Sequence, residues 1–364
     1  MRFGFSLGLH IRNEDRSATA VKKEILSRMW WAVYSLDRSL SAITGRPSIG
    51  AEIYCSTSLP LPISAADIDE ATIEAKFGLP PKWASVHVRP ESDRAHSTGA
   101  STGTPNLSSE PANGGTFLTS TVKLGMLSND VIAQLYSPNL ATKSWKYVQQ
   151  KITQMLGDLD SWLSSLPKGL NPFEENGSNY AMQQERNILK TYYHSTKILI
   201  CRPCLCRLDR RIKSQTATSD RFNHNIAVQC VVSAKSIAAC LPDDMAVWSK
   251  EIYRIFPWWA AVHYVMQAVA ILLLEACYEA EGLDVLPALK KLVRWLRALR
   301  YSNRTANRAY TITVDLLRKL VVRDFKSQKI PQASHSSLPA PSTNSTRSSP
   351  NSSPRTPTPS TSPT

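Results

Sequence analysis

Two thiols at C-x-x-C spacing, Cys201 and Cys204 in the run CRPCLC, come nearest to a reactive site by residue type and spacing. Thiolates so placed can hold zinc, and His194 lies two turns back on the same helical face. A structural zinc site usually needs a second pair of ligands. Cys230 and Cys240 stand singly on another helix, where a thiol packs as a small apolar group. Proline inside C-x-x-C also occurs in redox motifs, but those want a βαβ setting that this sequence lacks. The cluster therefore reads as a helix end made of small residues that tolerate burial.

Paired carboxylates are the next candidates. All-α enzymes that ionise prenyl diphosphates need three acids along a helix for magnesium. Asp243-Asp244 lacks a third acid at the right place. Asp67, Asp69, Glu70 and Glu74 (DIDEATIE) cluster better, but they open a short helix, where acids suit the positive end of the dipole. There is no phosphate-cradling glycine loop, no H-E-x-x-H and no nucleophile elbow. An all-α enzyme with a helix-lined cavity thus stays an alternative without a catalytic set.

Cations offer the third chemistry. Lys290, Lys291, Arg294, Arg297 and Arg300, with Arg304 and Arg308, follow one another through 290–308, opposite Leu289, Leu292, Val293, Leu296 and Leu299. Cations outside and leucines inside describe any solvated bundle helix. The shortage of interleaved acids adds a phosphate contact, or nonspecific DNA binding by the basic helix 290–308, as an alternative. Lysine plus arginine outnumber acids 43 to 29, a formal charge of +14, which favours polyanionic neighbours and says nothing of fold.

The elements that must position these residues are helical throughout. Apolar residues recur at three and four positions, which predicts helices over Val21–Ile43, 117–137, 143–165, 183–201, 225–240, 251–279, 284–301 and 306–326. Gly45 stops the first, and Arg202-Pro203 is expected to stop the fourth. In the first, Val21, Ile25, Met29, Val33, Leu36, Leu40 and Ile43 form one stripe expected to face the core. Residues 88–115 and 327–364 are rich in Ser, Thr, Gly, Pro and Asn and bury too little apolar area to offset their ordering entropy. The expected architecture is all-α: an irregular multi-helix bundle over 1–326 with a disordered insertion at 88–115, and a disordered Ser/Thr/Pro-rich tail at 327–364. The apolar run 255–274 has a membrane span's length, but His263 and Gln267 share one helical face and Pro257 interrupts its start, so it reads as a buried core helix. Seven cysteines without the framework of a small secreted domain suit reduced thiols in a cytosolic or nuclear setting.

One stretch gathers large rings, charges and a turn: RMWWAVYSLDRSLSAITGRPSIG, residues 28–50. Trp30 and Trp31 lie ~100° apart on a helix, so one can face the core stripe beside Met29 and Val33 while the other covers a neighbour. Arg46 can fold back toward Asp37 or a helix-end carbonyl. Read physically, this is a packed corner of rings, a half-buried ion pair and a rigid exit.

The same stretch resembles the signature of the fungal-specific transcription factor regulatory domain, the middle homology region of binuclear zinc cluster activators and repressors, also called the xylanolytic activator regulatory domain. Its Arg-x-Trp-Trp, Tyr-x-x-Asp-Arg and Gly-Arg-Pro correspond to Arg28, Trp30, Trp31, Tyr34, Asp37, Arg38, Gly45, Arg46 and Pro47. LGLH (7–10), LPLP (59–62), LDSWLSSLP (159–167) and YYHSTKILICRPCL (192–205) resemble further stretches of the family, so the likeness extends over roughly residues 1–85 and 116–325. It implies a non-catalytic, nuclear regulatory and interaction module controlling RNA polymerase II transcription. The implied partners are coregulator proteins, a small-molecule inducer and a second copy in a homodimer, with no membrane. The family binds DNA through a zinc cluster of six cysteines, which this sequence lacks. No cofactor is expected here, zinc being implied only for members with that cluster, and the resemblance implies an N-terminally truncated regulatory domain.

Overall fold

The computed structural model describes residues 1–46, 48–49, 54–78, 107–174, 182–206, 216–243, 259–278 and 284–328. Among them are ten α-helices and no β-strand: α1 (Arg2–Ser6), α2 (Ala20–Thr44), α3 (Glu70–Phe77), α4 (Gly114–Leu135), α5 (Trp145–Ser164), α6 (Gln183–Leu205), α7 (Ala217–Ala239), α8 (Ala261–Tyr278), α9 (Leu286–Leu299) and α10 (Arg304–Gln328). The chain divides into Met1–Leu320, which holds the core, and Val321–Thr364, of which the described part is the end of the α10 backbone.

Local signals set the ends of these helices. Thr19, Ser144 and Thr216 cap α2, α5 and α7 by accepting from backbone N–H groups of the first turn. Asn113 and Thr116 form a reciprocal box at the start of α4. Gly45 closes α2 in the left-handed region at φ 65°, a conformation glycine adopts without a Cβ clash.

The main core lies where α6 packs on α7, with α8 behind α7 and α4 and α5 against α6. Val265, Ala268, Val269 and Leu272 of α8 are fully buried within it. Polar links pin the helices. Gln267 of α8 accepts from the Ser195 hydroxyl at 2.7 Å and donates to the Ser195 carbonyl at 3.2 Å. The Trp162 indole of α5 donates to the Ser120 carbonyl of α4 at 3.0 Å. Among the described residues no helix is long and apolar enough to cross a membrane.

Three expectations are corrected. Pro203 does not end α6 but sits inside its last turn. Proline removes the N–H that would bond the carbonyl four residues back, and the Leu199 carbonyl accepts instead from the Tyr136 hydroxyl at 2.6 Å. The Arg202 guanidinium lies over that tyrosine ring at 4.7 Å. Within the expected insertion 88–115, residues 107–115 are ordered: Leu107 is buried and Asn113 caps α4. Residues 88–106 and 329–364 lie outside the described ones, as does the expected helix over 251–258.

The third correction concerns α2. Its expected core stripe divides: Ile25, Met29, Leu36 and Leu40 are 45%, 48%, 44% and 42% exposed, whereas Val21, Val33 and Ile43 are half-buried, Val21 and Ile43 against the core. The buried face carries Glu24, Ser27, Trp30, Trp31, Tyr34 and Arg38 instead. Rings and charged side chains take the place expected for aliphatic ones.

Candidate functional site

Five of the signature residues, Arg28, Trp30, Trp31, Tyr34 and Arg38, lie along the inner face of α2, and two of them, Arg28 and Trp31, grip the backbone of one segment. Arg28 Nε meets Glu24 Oε1 at 2.6 Å, one turn away on the helix. The same guanidinium donates to the carbonyls of Leu61 and Ile63 at 3.2 and 2.8 Å, and Glu24 Oε1 accepts from Leu61 N–H at 3.0 Å. The Ser27 hydroxyl and the Trp31 indole both donate to the Ser58 carbonyl, at 2.6 and 2.7 Å. The segment Ser58–Ile63 is thereby stitched along α2. Prolines 60 and 62 supply no N–H, so the strand-like row of donors is interrupted and its carbonyls are what α2 can reach.

The other side of that segment meets the start of α4. Asn113 donates to the Pro62 carbonyl at 2.9 Å, Gly115 N–H to Ile63 at 3.2 Å and the Thr119 hydroxyl to Pro60 at 3.4 Å. A Cβ on Gly115 would lie 2.0 Å from the Leu61 carbonyl oxygen, so only glycine fits. The Glu70 carboxylate of α3 accepts from Ala20 and Val21 N–H, which ties α3 to the start of α2. Burial pushes the Glu24 carboxyl up, while the Arg28 hydrogen bond and charge pull it back.

Trp30 is enclosed by Phe5 and His10, at centroid distances of 5.4 and 5.7 Å. Trp31 meets Tyr34 edge-on at 5.2 Å, and the Arg38 guanidinium lies over the Tyr34 ring at 4.5 Å. Arg38 also reaches Asp37 at 3.7 Å and the Ile49 carbonyl at 3.5 Å. Arg46, for which a fold-back onto Asp37 or onto a helix-end carbonyl was open, is exposed, and Asp37 contacts its neighbour Arg38 instead. Pro47 lies outside the described residues, but Ser48 beyond it donates to Asn129 of α4 at 2.8 Å. These rings and charges pack on one another and on nearby backbone.

The cations of 290–308 do not share one helix. α9 ends at Leu299 and α10 starts at Arg304. Lys290, Arg294 and Arg297 are exposed on one face of α9. Lys291 pairs with Asp243 at 2.8 Å, and Arg300 lies over the rings of Tyr301 and Tyr310 at 4.9 and 5.0 Å.

The thiols and carboxylates have plain employment. Cys201 and Cys204 are fully buried, and burial pushes the Cys201 thiol up to about 12, opposite to the shift of a metal-binding thiolate. His194 packs edge-on against Phe173 and Tyr193. Asp69 caps α3 through Thr72 N–H at 2.8 Å, and Asp67 accepts from the Ser64 hydroxyl at 2.8 Å. Among the described residues no three His, Cys, Asp or Glu side chains gather as metal ligands.

LPLP (59–62) enters the sequence reading only as a likeness, and Ser58, Ile63, Asn113 and Gly115 do not enter it as site residues. The Pro-rich LPLPI run and the Asn-Gly-Gly before α4 are the signals that mark that segment and a close backbone approach.

Residues 1–166 match the family model described as the fungal specific transcription factor domain. Over 88% of its length the chain is 26% identical to transcription regulator galc of Aspergillus niger, covering 43% of that protein. It is 25% identical to Activator of stress genes 1 of Saccharomyces cerevisiae, across 88% of this chain and 30% of the relative. A shorter likeness, 39% identity over 19% of the chain, joins it to 9% of the thiamine repressible genes regulatory protein thi1 of Schizosaccharomyces pombe. The chain spans less than half the length of these curated relatives. No solved structure matches.

Proposed function

We propose that this chain is a non-catalytic regulatory and interaction module of a fungal transcription regulator, acting in the nucleus on RNA polymerase II transcription, with DNA contact supplied by a zinc cluster outside these residues. The observation that carries the reading is the division of labour on α2. Its signature face is consumed by holding Ser58–Ile63 and the aromatic corner. Its opposite face presents Ile25, Met29, Leu36 and Leu40 to solvent, with exposed Ala32 between them. Their spacings of four, three, four and four residues make a stripe ~22 Å long at 1.5 Å per residue. Contiguous exposed apolar surface of this kind marks protein–protein contact, and it suits coregulators better than a substrate.

The test is a tethered reporter. The chain is fused to an unrelated DNA-binding domain, and transcription from its cognate promoter is measured against the DNA-binding domain alone. Output is expected to change, and Met29→Lys with Leu36→Lys is expected to abolish the change at unaltered protein level. An inert fusion that is folded and present in the nucleus would overturn the reading.

A further inference from the structure

Between α7 and α9 runs an open groove of ≈ 980 Å³, remote in sequence from the signature corner. Trp295 lies on its floor, and Val232 and Leu286, 50% and 55% exposed, form apolar walls. Four cations line it, Lys235, Lys290, Lys291 and Arg294, against two acids, Asp243 and Asp284. Leu286, Lys290 and Arg294 follow at intervals of four, so wall and rim run together along α9, which is ~21 Å long at 1.5 Å per residue.

Asp243 shows what the rim accepts. Its carboxylate sits 2.8 Å from Lys291 Nζ, yet its side chain is 93% exposed while that of Lys291 is 20% exposed. So exposed a partner contributes little to stability, and it can be exchanged for another carboxylate.

We propose that this groove docks an amphipathic helix of a protein partner, about three turns long, with leucine or phenylalanine along one face and aspartate or glutamate on its flanks. The proposal rests on the reading of the chain as an interaction module and names the chemistry of one partner. Charge complementarity selects the flanks and the exposed walls select the apolar face, as in other helix-in-groove contacts. A nucleic-acid backbone would use the same cations but leave Val232 and Leu286 facing water. The groove is open along its length rather than closed around a small ligand.

The experiment uses the purified full chain and a fluorescein-labelled 16-residue synthetic helix with leucines at i, i+3, i+4 and i+7 flanked by glutamates. Fluorescence anisotropy should show saturable binding. Lys290→Glu with Arg294→Glu should weaken it at least tenfold, and Val232→Asp with Leu286→Asp should do likewise. Asp243→Asn, which removes the resident competitor, should tighten it severalfold. All these side chains are at the surface, and circular dichroism melts confirm that the variants remain folded. No binding overturns the proposal. So does equal binding of a scrambled peptide with its acids on every face, or a 20-base-pair duplex that displaces the peptide and depends on the same cations but not on Val232 or Leu286. If the peptide fails while the tethered chain still controls its reporter, the groove falls and the module reading stands. Peptide binding by a chain inert in the reporter gives the converse.

Discussion

Glu24 and Arg28, one turn apart on α2 with Oε1 and Nε 2.6 Å from each other, close as a pair on the backbone of a single segment. Glu24 accepts from the N–H of Leu61 and Arg28 donates to the carbonyls of Leu61 and Ile63. Arg28→Met strips a buried carboxylate of its cation and two carbonyls of their side-chain donor, leaving Glu24 only the Leu61 N–H and Ile63 only the Gly115 N–H. Breaking one side of such a pair costs ~3–5 kcal/mol, and Arg28→Lys rescues little because an ammonium cannot span two carbonyls and a carboxylate as a fork does. Urea unfolding of the two variants against the parent chain measures both.

Gly115 is the steric counterpart of that clamp. Alanine there would drive its Cβ to 2.0 Å from the Leu61 oxygen and 2.7 Å from that of Ile63, both backbone atoms that the clamp holds fixed. Gly115→Ala is expected to destabilise by ~3 kcal/mol or more, at the upper end of overpacking costs, or to fail to fold. Gly157, with nothing within 4 Å of its added Cβ, is the control: Gly157→Ala in the exposed middle of α5 should leave the chain as stable or more so.

Acid should weaken the fold through two buried imidazoles. Burial holds His194 and His263 down to about 4, from an ordinary 6.5, and neighbouring Lys190 and Lys197 add to the effect at His194. The folded chain therefore binds these protons later than the unfolded chain. Their contribution is complete above pH 6.5 and is lost as pH falls from 6.5 through 4. A shift of this size corresponds to about 3 kcal/mol for each histidine. His194→Phe keeps the ring packing and removes the titration, so unfolding midpoints between pH 7 and 4.5 should fall less steeply for the variant.

The helices were legible because 3.6-residue spacing is a local signal, and most bounds lay within a few residues of those observed. The orientation of α2 was not. Ile25, Met29, Leu36 and Leu40 form the more apolar stripe, and by transfer energy alone that side belongs inside. What reverses the helix is a set of contacts far away in sequence: Ser58–Ile63, held from behind by Asn113 and Gly115, makes burial of Glu24, Ser27 and Arg28 favourable by giving each a hydrogen-bond partner. Periodicity cannot see those partners. Pro203 was misjudged for the same reason, since Tyr136, 67 positions earlier, satisfies the carbonyl that proline leaves open.

The opposite faces of α2 should respond to mutation in opposite ways. Trp30→Ala removes a fully buried ring and should cost ~3–5 kcal/mol, whereas Leu36→Lys, on the exposed stripe, should stay within ~0.5 kcal/mol of the parent. Paired measurement of unfolding midpoint and tethered-reporter output for Leu36→Lys is the most direct check on the central claim, that the signature holds the scaffold while the stripe behind it carries the regulatory contact. An unchanged midpoint with lost output is expected. An unchanged midpoint with full output would contradict it, because the stripe would then be idle surface.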